Sequence, residues 1–159
     1  MSKTRRLSGF TLIEILVVVA LIAILTAITF IAINPGKNFA DARNTTRATH
    51  VSQILSAVSQ YLTVPGNTLD NLSVASATSA AIPPCSAPLE IGSPATTTTI
   101  DLKTPLVTTG DFIVGIPVDP ASTPASDEGN TGYTICRTGT RVTIASMHEE
   151  NGATIEIRR

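Results

Sequence analysis

Length, composition and charge limit the classes of protein to which this chain can belong. Its 159 residues allow one modest domain together with a membrane helix. With 11 basic and 12 acidic side chains, its formal net charge is −1. Binding of nucleic acid through a basic surface requires clustered Lys and Arg, so we expect no direct nucleic-acid binding. Aromatic residues make up 4% of the chain and Trp is absent, which argues against a large aromatic binding groove.

A long apolar run follows a short basic leader. Residues 10–33 consist almost entirely of Leu, Ile, Val, Ala, Phe and Thr. A helix of this length spans roughly 36 Å, enough to cross a hydrocarbon core of about 30 Å with some tilt. Lys3, Arg5 and Arg6 lie just before the run, which favours a cytoplasmic N-terminus and a single membrane crossing.

One carboxylate, Glu14, lies near the start of this run. An acid at the centre of a bilayer costs roughly 3 kcal/mol or more, and no other charged residue occurs between Phe10 and Asn34. We therefore expect a compensating group on a partner chain. Two other interpretations of residues 10–33 fit less well. An ordinary secretory signal peptide has a shorter apolar region, in which an acid is unexpected. A plain single-pass anchor has the right length but leaves Glu14 unexplained.

Residues 9–14 read Gly-Phe-Thr-Leu-Ile-Glu, and together with the basic leader they resemble the class III signal of type IV pilins and their pseudopilin relatives. The resemblance implies that a prepilin peptidase cleaves between Gly9 and Phe10 and N-methylates Phe10. It also implies that Glu14 accepts a hydrogen bond from the free amine of Phe10 on a neighbouring subunit.

The same resemblance implies a structural subunit rather than an enzyme, with no cofactor. The precursor would lie in the cytoplasmic membrane until pilus or secretion machinery extracts it. It would then assemble with identical subunits into an extracellular or cell-surface filament. A pseudopilin of a type II secretion or DNA-uptake system is the alternative within the class. A monomeric, membrane-anchored binding module is the alternative outside it.

The helical pattern is interrupted at residues 34–36, where we expect Pro35 and Gly36 to cause a kink or a short break. It then resumes with one apolar stripe that predicts an amphipathic helix over residues 34–64, ended by Pro65-Gly66. The stripe consists of Val51, Ile54, Leu55, Val58, Tyr61 and Leu62. The polar residues 41–47 between the two apolar segments are either a solvated face or a contact between subunits.

The remainder of the chain predicts a long loop followed by a sheet. Residues 65–110 are rich in Ser, Thr and Pro, with a short strand expected near Ile100–Leu102. Residues 111–159 form the predicted sheet. Its strands are expected at 112–116, at 133–137 and 141–146 around a three-residue hairpin connection, and at 154–158 after an Asn151-Gly152 turn.

These patterns together predict an α+β fold, in which a long N-terminal helix packs its second half on an antiparallel sheet of about three to four strands. The expected segments are a leader peptide at 1–9, a membrane or filament-core helix at 10–33, the amphipathic helix at 34–64, the loop at 65–110 and the sheet head at 111–159.

Two cysteines, Cys85 and Cys136, lie in the part of the chain that would be exported. An even number of cysteines in an oxidising compartment favours a disulfide, although two unrelated buried thiols remain the alternative. A bond that closes a loop of about fifty residues contributes roughly 4 kcal/mol in the chain-entropy model.

Residues with the potential for chemistry are sparse. The two histidines, His50 and His148, are far apart, and no nucleotide-binding, zinc-binding or nucleophile motif is present. We therefore predict no enzymatic activity. Asp119 belongs to a Pro-x-Asp-Pro segment, residues 117–120, and Asp127 and Glu128 follow it. The segment resembles one in pseudopilins, some of which bind calcium nearby. A proline-rigidified acidic loop is the simpler interpretation, so we predict no metal site and retain calcium as a minor alternative.

Overall fold

The computed structural model describes residues 9–72, 81–120 and 126–159. The chain divides into two compact units, with the boundary along the chain between Phe39 and Ala40. Helix α1, Leu12–Ile33, lies in the first unit. Its residues are mostly Leu, Ile, Val and Ala, with no Gly or Pro to interrupt it. By length and composition α1 is able to cross a membrane, as the apolar run predicts.

The two helices are separated at Asn34, the first residue of the expected interruption, and the interruption is a short break. Asn34 has φ +44°, a left-handed conformation that ends α1, and helix α2, Pro35–Tyr61, starts at the next residue. The carbonyl oxygen of Asn34 accepts a hydrogen bond from the Lys37 amide at 3.1 Å. Pro35 is thus the first residue of α2, where its missing N–H leaves no donor unsatisfied. Proline here begins a helix rather than bending one.

The second unit is built on the apolar stripe of α2. Five of the six predicted stripe residues are buried, namely Val51, Ile54, Leu55, Val58 and Tyr61. Leu62 is the exception, because α2 ends at Tyr61 and leaves the Leu62 side chain 37% exposed. The stripe joins one hydrophobic core with sheet residues such as Ile91, Ile135 and Ile144. This is the predicted α+β arrangement.

The sheet has five strands in the order β2-β1-β3-β4-β5, which is one or two strands more than expected. The strands are β1 Leu89–Ile91, β2 Thr99–Ile100, β3 Tyr133–Thr138, β4 Arg141–Ser146 and β5 Glu156–Arg158. All neighbouring pairs are antiparallel except β1 and β2, which run parallel. Strands β1 and β2 both come from residues 65–110, so the segment expected to be mainly a loop supplies part of the sheet. Of these two, β1 was not expected.

A five-residue π-helix, Thr104–Thr108, follows β2. Asp101 organises its first turn, since its Oδ1 accepts a hydrogen bond from the Lys103 amide at 2.8 Å and its Oδ2 accepts one from the Thr104 hydroxyl at 2.7 Å. The strand expected near Ile100–Leu102 is therefore real but shorter and shifted, because Asp101 ends it by capping the following turn.

The strand expected at residues 112–116 is absent. These residues form bends, and the amides of Phe112 and Ile113 both donate to the carbonyl oxygen of Leu106, at 2.9 and 3.3 Å. The Phe112 ring packs edge-on against Tyr61 with centroids 5.8 Å apart, whereas Val114 is fully exposed. The prediction was wrong because a short apolar run has the same composition whether it forms a strand or a loop that covers a core.

The two predicted turns of the sheet are present with one adjustment. Thr138 pairs with Arg141, so the β3–β4 hairpin has a two-residue loop in place of three, with Gly139 at φ +64°. Asn151 and Gly152 adopt φ +57° and +70°, and the Ala153 amide donates to the Glu150 carbonyl at 3.1 Å. This is the geometry of a type I′ turn.

Cys85 and Cys136 form a disulfide whose Cα atoms lie 4.8 Å apart. Cys136 belongs to β3, and beside the disulfide the Arg137 amide donates to the Pro83 carbonyl at 2.8 Å. The bond therefore fastens the segment around residue 85 to the middle of the sheet.

Candidate functional site

The N-terminus of α1 carries the residues expected to be processed. Thr11 is the N-cap of α1, with its hydroxyl accepting from the Glu14 amide at 3.3 Å. The Glu14 carboxylate accepts in turn from the Thr11 amide, Oε2 to N, at 3.5 Å. This reciprocal capping box begins the helix, and the carboxylate lies where the helix dipole favours a negative charge. In this chain Glu14 therefore has a local role that the sequence analysis did not consider.

The peptide bond between Gly9 and Phe10 lies in an exposed, non-helical segment ahead of the cap. The Phe10 side chain is 80% exposed, and a Cβ added at Gly9 would meet no atom of this chain within 4 Å. A Cβ at position 9 therefore meets no steric obstacle among the described residues, which do not themselves explain a glycine there.

No residue of α1 is buried. Its large apolar side chains, from Leu12 to Ile33, are between 48% and 83% exposed. A surface of this size is unfavourable in water, since each Å² of exposed apolar surface costs about 25 cal/mol. The composition of α1 therefore suits an apolar environment such as lipid.

A second candidate site is a buried ionic cluster in the other unit, which we call the Arg47 cluster: Arg43, Asn44, Arg47, Asp119 and Glu150. Arg47 is fully buried on α2. Its guanidinium donates two parallel hydrogen bonds to the Asp119 carboxylate, from Nε to Oδ2 at 2.7 Å and from Nη2 to Oδ1 at 3.1 Å. The same guanidinium donates through Nη1 to Glu150 Oε2 at 2.7 Å. The bidentate Arg47–Asp119 pair has the geometry of a strong, charge-assisted contact.

Glu150 completes the cluster from the β4–β5 connection. Its carboxylate also accepts a hydrogen bond from Arg43, Nε to Oε2, at 2.7 Å. Asn44 fixes the backbone of the same residue, because its Nδ2 donates to the Glu150 carbonyl at 2.7 Å and its Oδ1 accepts from the Glu150 amide at 3.1 Å. One helical turn of α2 thus holds both Asp119 and the β4–β5 connection.

Residues 41–47 are therefore not a uniformly solvated face. Arg47 is buried and Arg43 is half-buried, while Asp41 and Thr45 are exposed. The sequence contained a signal for this arrangement, since Arg43 and Arg47 lie four residues apart on one helix face. Their partners are more than 70 residues away and could not be identified from spacing.

His50 lies on α2 next to this cluster and contacts β3. Its Nδ1 is 2.7 Å from the Tyr133 hydroxyl, and the two rings meet edge-on. Burial raises the pKa of Tyr133, with a further contribution from the negative charge of Asp119. Burial also lowers the pKa of His50. At neutral pH the pair is accordingly an uncharged hydrogen bond, which suits its position against the core.

The three acids considered for calcium have separate partners. Asp119 binds Arg47, Asp127 Oδ1 accepts the amides of Gly129 at 2.8 Å and Asn130 at 3.0 Å, and Glu128 pairs with Lys103 at 2.5 Å. Within residues 9–72, 81–120 and 126–159, no three side chains of His, Cys, Asp or Glu come together as a possible metal site. Asp119 is instead the ion-pair partner of Arg47.

Comparison with known protein families bears on the first site. Residues 4–30 match the prokaryotic N-terminal methylation motif, the class III signal peptide of type IV pilins and pseudopilins. The chain thus carries the signal of a pilin-like precursor, and the motif together with the apolar α1 fits a membrane-anchored form. No curated protein and no solved structure matches the chain significantly.

The buried Arg47–Asp119 pair should be costly to break. Arg47→Met leaves Asp119 buried without its cation, and we expect a loss of about 3–5 kcal/mol in the free energy of unfolding. Urea titration of the full chain in detergent, followed by tyrosine fluorescence, measures this loss, since both tyrosines, Tyr61 and Tyr133, belong to the second unit. Arg141→Met at an exposed position is the control and should cost under about 0.5 kcal/mol. Equal losses in the two variants would contradict the assignment.

Glu150 makes stability sensitive to acid. Hydrogen bonds from Arg43 and then Arg47 lower the pKa of Glu150 from 4.5 to about 2. Because the pKa of Glu150 is lower in the folded than in the unfolded chain, its ionised carboxylate stabilises the folded state at pH values above 4.5. This stabilisation is lost as the pH falls from about 4.5 towards 2. Glu150→Gln should be less stable than wild type at pH 7 and should lose less between pH 5 and 2.5, as measured by melting temperature. Glu149→Gln, which leaves Glu150 in place, should retain the acid-induced loss.

Proposed function

We propose that this chain is the precursor of a structural subunit, a pilin, of a type IV pilus-like extracellular filament. Prepilin peptidase cleaves it between Gly9 and Phe10 and methylates the new amine of Phe10. The mature subunit then assembles with identical copies through α1. The observation that carries this proposal is the methylation motif at residues 4–30, which overlaps the apolar helix α1, a helix with no buried residue.

The geometry around the cleavage site supports processing. Gly9 and Phe10 are exposed and precede the N-cap, so a peptidase can reach their peptide bond without unwinding α1. Hydrolysis leaves a free amine on Phe10, one residue before the N-cap Thr11. This amine is the only new positive charge that processing creates, and it appears close to the carboxylate of Glu14.

Assembly is supported by the need to cover α1. In the membrane, lipid covers the helix. In a filament, the helices of other subunits replace lipid in a core without water. There, the Glu14 carboxylate is satisfied by the Phe10 amine of a neighbouring subunit. Such a pair is valuable mainly because a wrong register leaves a buried charge unpaired, which is strongly unfavourable.

A pseudopilin of a type II secretion or DNA-uptake system is the second candidate, because the same motif serves both kinds of subunit. It would form a short periplasmic fibre in place of a surface filament. Fibres sheared from the cell surface separate the two candidates, since a pilin is recovered in them and a pseudopilin is not. A monomeric membrane-anchored binding module would retain Met1 and stay in the membrane fraction.

The cleavage step is tested by enlarging residue 9. Gly9→Val should leave the precursor uncut, whereas Gly9→Ala should be processed at least partly, because the peptidase must approach the backbone closely. Intact-mass spectrometry of membrane fractions reads the outcome, and wild type should begin at N-methylated Phe10. A Cβ at residue 9 meets nothing in this chain, so any loss of processing reports on the peptidase and not on folding. Full cleavage of Gly9→Val would overturn the assigned site.

The assembly step is tested at Glu14 with two variants. Glu14→Ala removes both the charge and the capping group, whereas Glu14→Gln removes the charge and retains a side chain able to cap the helix. Both variants should be processed and inserted in the membrane. The yield of filaments should fall at least about tenfold in both, because a loss of 1.4 kcal/mol per contact already corresponds to a factor of ten.

Electron microscopy and immunoblotting of sheared material measure the yield of filaments. Normal filaments from Glu14→Gln with few from Glu14→Ala would show that Glu14 acts by capping α1. Normal filaments from both variants would refute the pairing altogether.

A further inference from the structure

Strand β5 lies at an exposed edge of the sheet. In the described part of the chain β5 pairs with β4 alone. Glu156 and Arg158 are exposed, whereas Thr99 and Ile100 of β2, at the opposite edge, are buried. One edge of the sheet is therefore covered by the chain itself, and the other is open to a partner.

The hydrogen-bond pattern shows which backbone groups are available. Val142 and Arg159 exchange two hydrogen bonds, at 2.8 and 2.9 Å, and the Ser146 amide donates to the Ile155 carbonyl at 2.9 Å. In an antiparallel pair the residues that bond to the neighbour alternate with residues that face away. The N–H and C=O groups of Glu156 and Arg158 consequently face away from β4, which is the arrangement that another strand can join.

The side chains of β5 divide between the two faces of the sheet. Ile157 packs against the hydrophobic core and is half-buried. Glu156 and Arg158 project from the opposite face, where Arg158 Nε donates to the Thr143 hydroxyl of β4 at 3.2 Å. The open edge thus carries one negative and one positive side chain, two residues apart and on the same face.

We propose that β5 pairs with β5 of a second copy of this chain, antiparallel and with the two-fold axis at Ile157. In this register Glu156 lies opposite Arg158 of the second copy, and Arg158 lies opposite its Glu156. The outward backbone groups of these residues form the hydrogen bonds, and the two Ile157 side chains meet across the axis. Opposite charges in directly paired positions stabilise a sheet, so the edge is complementary to itself.

Such a contact goes beyond filament assembly through α1 and does not require it. An isologous contact closes as a pair and cannot extend a helical filament, so it joins subunits of different filaments. A three-residue edge is weak in one copy, but many copies along a fibre act together and give lateral association of filaments.

Reversal of the charges tests the register. Glu156→Arg places Arg opposite Arg at both positions, and Arg158→Glu places Glu opposite Glu. Each single variant should weaken self-association of the full chain in detergent by about tenfold, as measured by analytical ultracentrifugation. The double variant Glu156→Arg with Arg158→Glu restores opposite charges and should associate within about twofold of wild type. Unchanged association in the single variants, or no recovery in the double variant, would overturn the proposal.

A cysteine at residue 157 provides an independent test. Residues paired across the axis without mutual hydrogen bonds have Cα atoms about 4.5 Å apart, within the range of a disulfide. The chain has two cysteines and they are bonded to each other, so a new cysteine supplies the free thiol. Ile157→Cys should form covalent dimers at least about tenfold faster than Ala153→Cys, an exposed position outside the register.

The same cross-link in the Glu14→Ala background distinguishes this proposal from filament assembly. Dimer formation through residue 157 should persist there, even though assembly through α1 is impaired. Equal rates for Ile157→Cys and Ala153→Cys would refute edge pairing and leave the proposed function untouched.

Discussion

The arrangement of the second unit depends on the ion pair between Arg47 and Asp119. A fully buried guanidinium is tolerated only if its nitrogen atoms are hydrogen-bonded, and each of the three nitrogens of Arg47 donates to Asp119, Glu150 or Asn44. The cost of removing these charges from water offsets much of their attraction, so the pair contributes little net stability. What it contributes is a single arrangement, because any shift of the β4–β5 connection along α2 would leave a buried charge unpaired.

The two units meet different physical requirements. The second unit buries its own core, since the α2 stripe and the inner face of the sheet cover each other. The first unit contains α1, in which no residue is buried. The second unit therefore has a hydrophobic core of its own, whereas the apolar residues of α1 are suited to an apolar environment such as lipid. The proposed function makes use of this difference, because a head with its own core is stable both in the precursor and in a filament.

Elements with a strong local pattern were predicted well, and elements defined by distant partners were not. Helix α2, strands β3 and β4 and the turn at Asn151 follow from periodicity and turn chemistry, which act within a few residues. Strands β1 and β2 have three and two residues, too few to show alternation. β1 forms because β3 offers Leu89 and Glu90 a hydrogen-bonding edge, and β2 in turn pairs with β1. The opposite error occurred at residues 112–116, where a strand was predicted and none forms. Phe112 contacts Tyr61, which requires an apolar side chain but not a strand.

By itself, the sequence determined the N-terminal signal and the apolar helix that follows it. A peptidase reads consecutive residues and a bilayer reads length and composition, so neither depends on the rest of the fold. The tertiary structure alone decided that Arg47 is buried, that Asp119 pairs with it, and that β5 lies at the open edge. Each of these depends on groups more than ten residues apart in the chain being brought together, and no local spacing records where a folded chain places them.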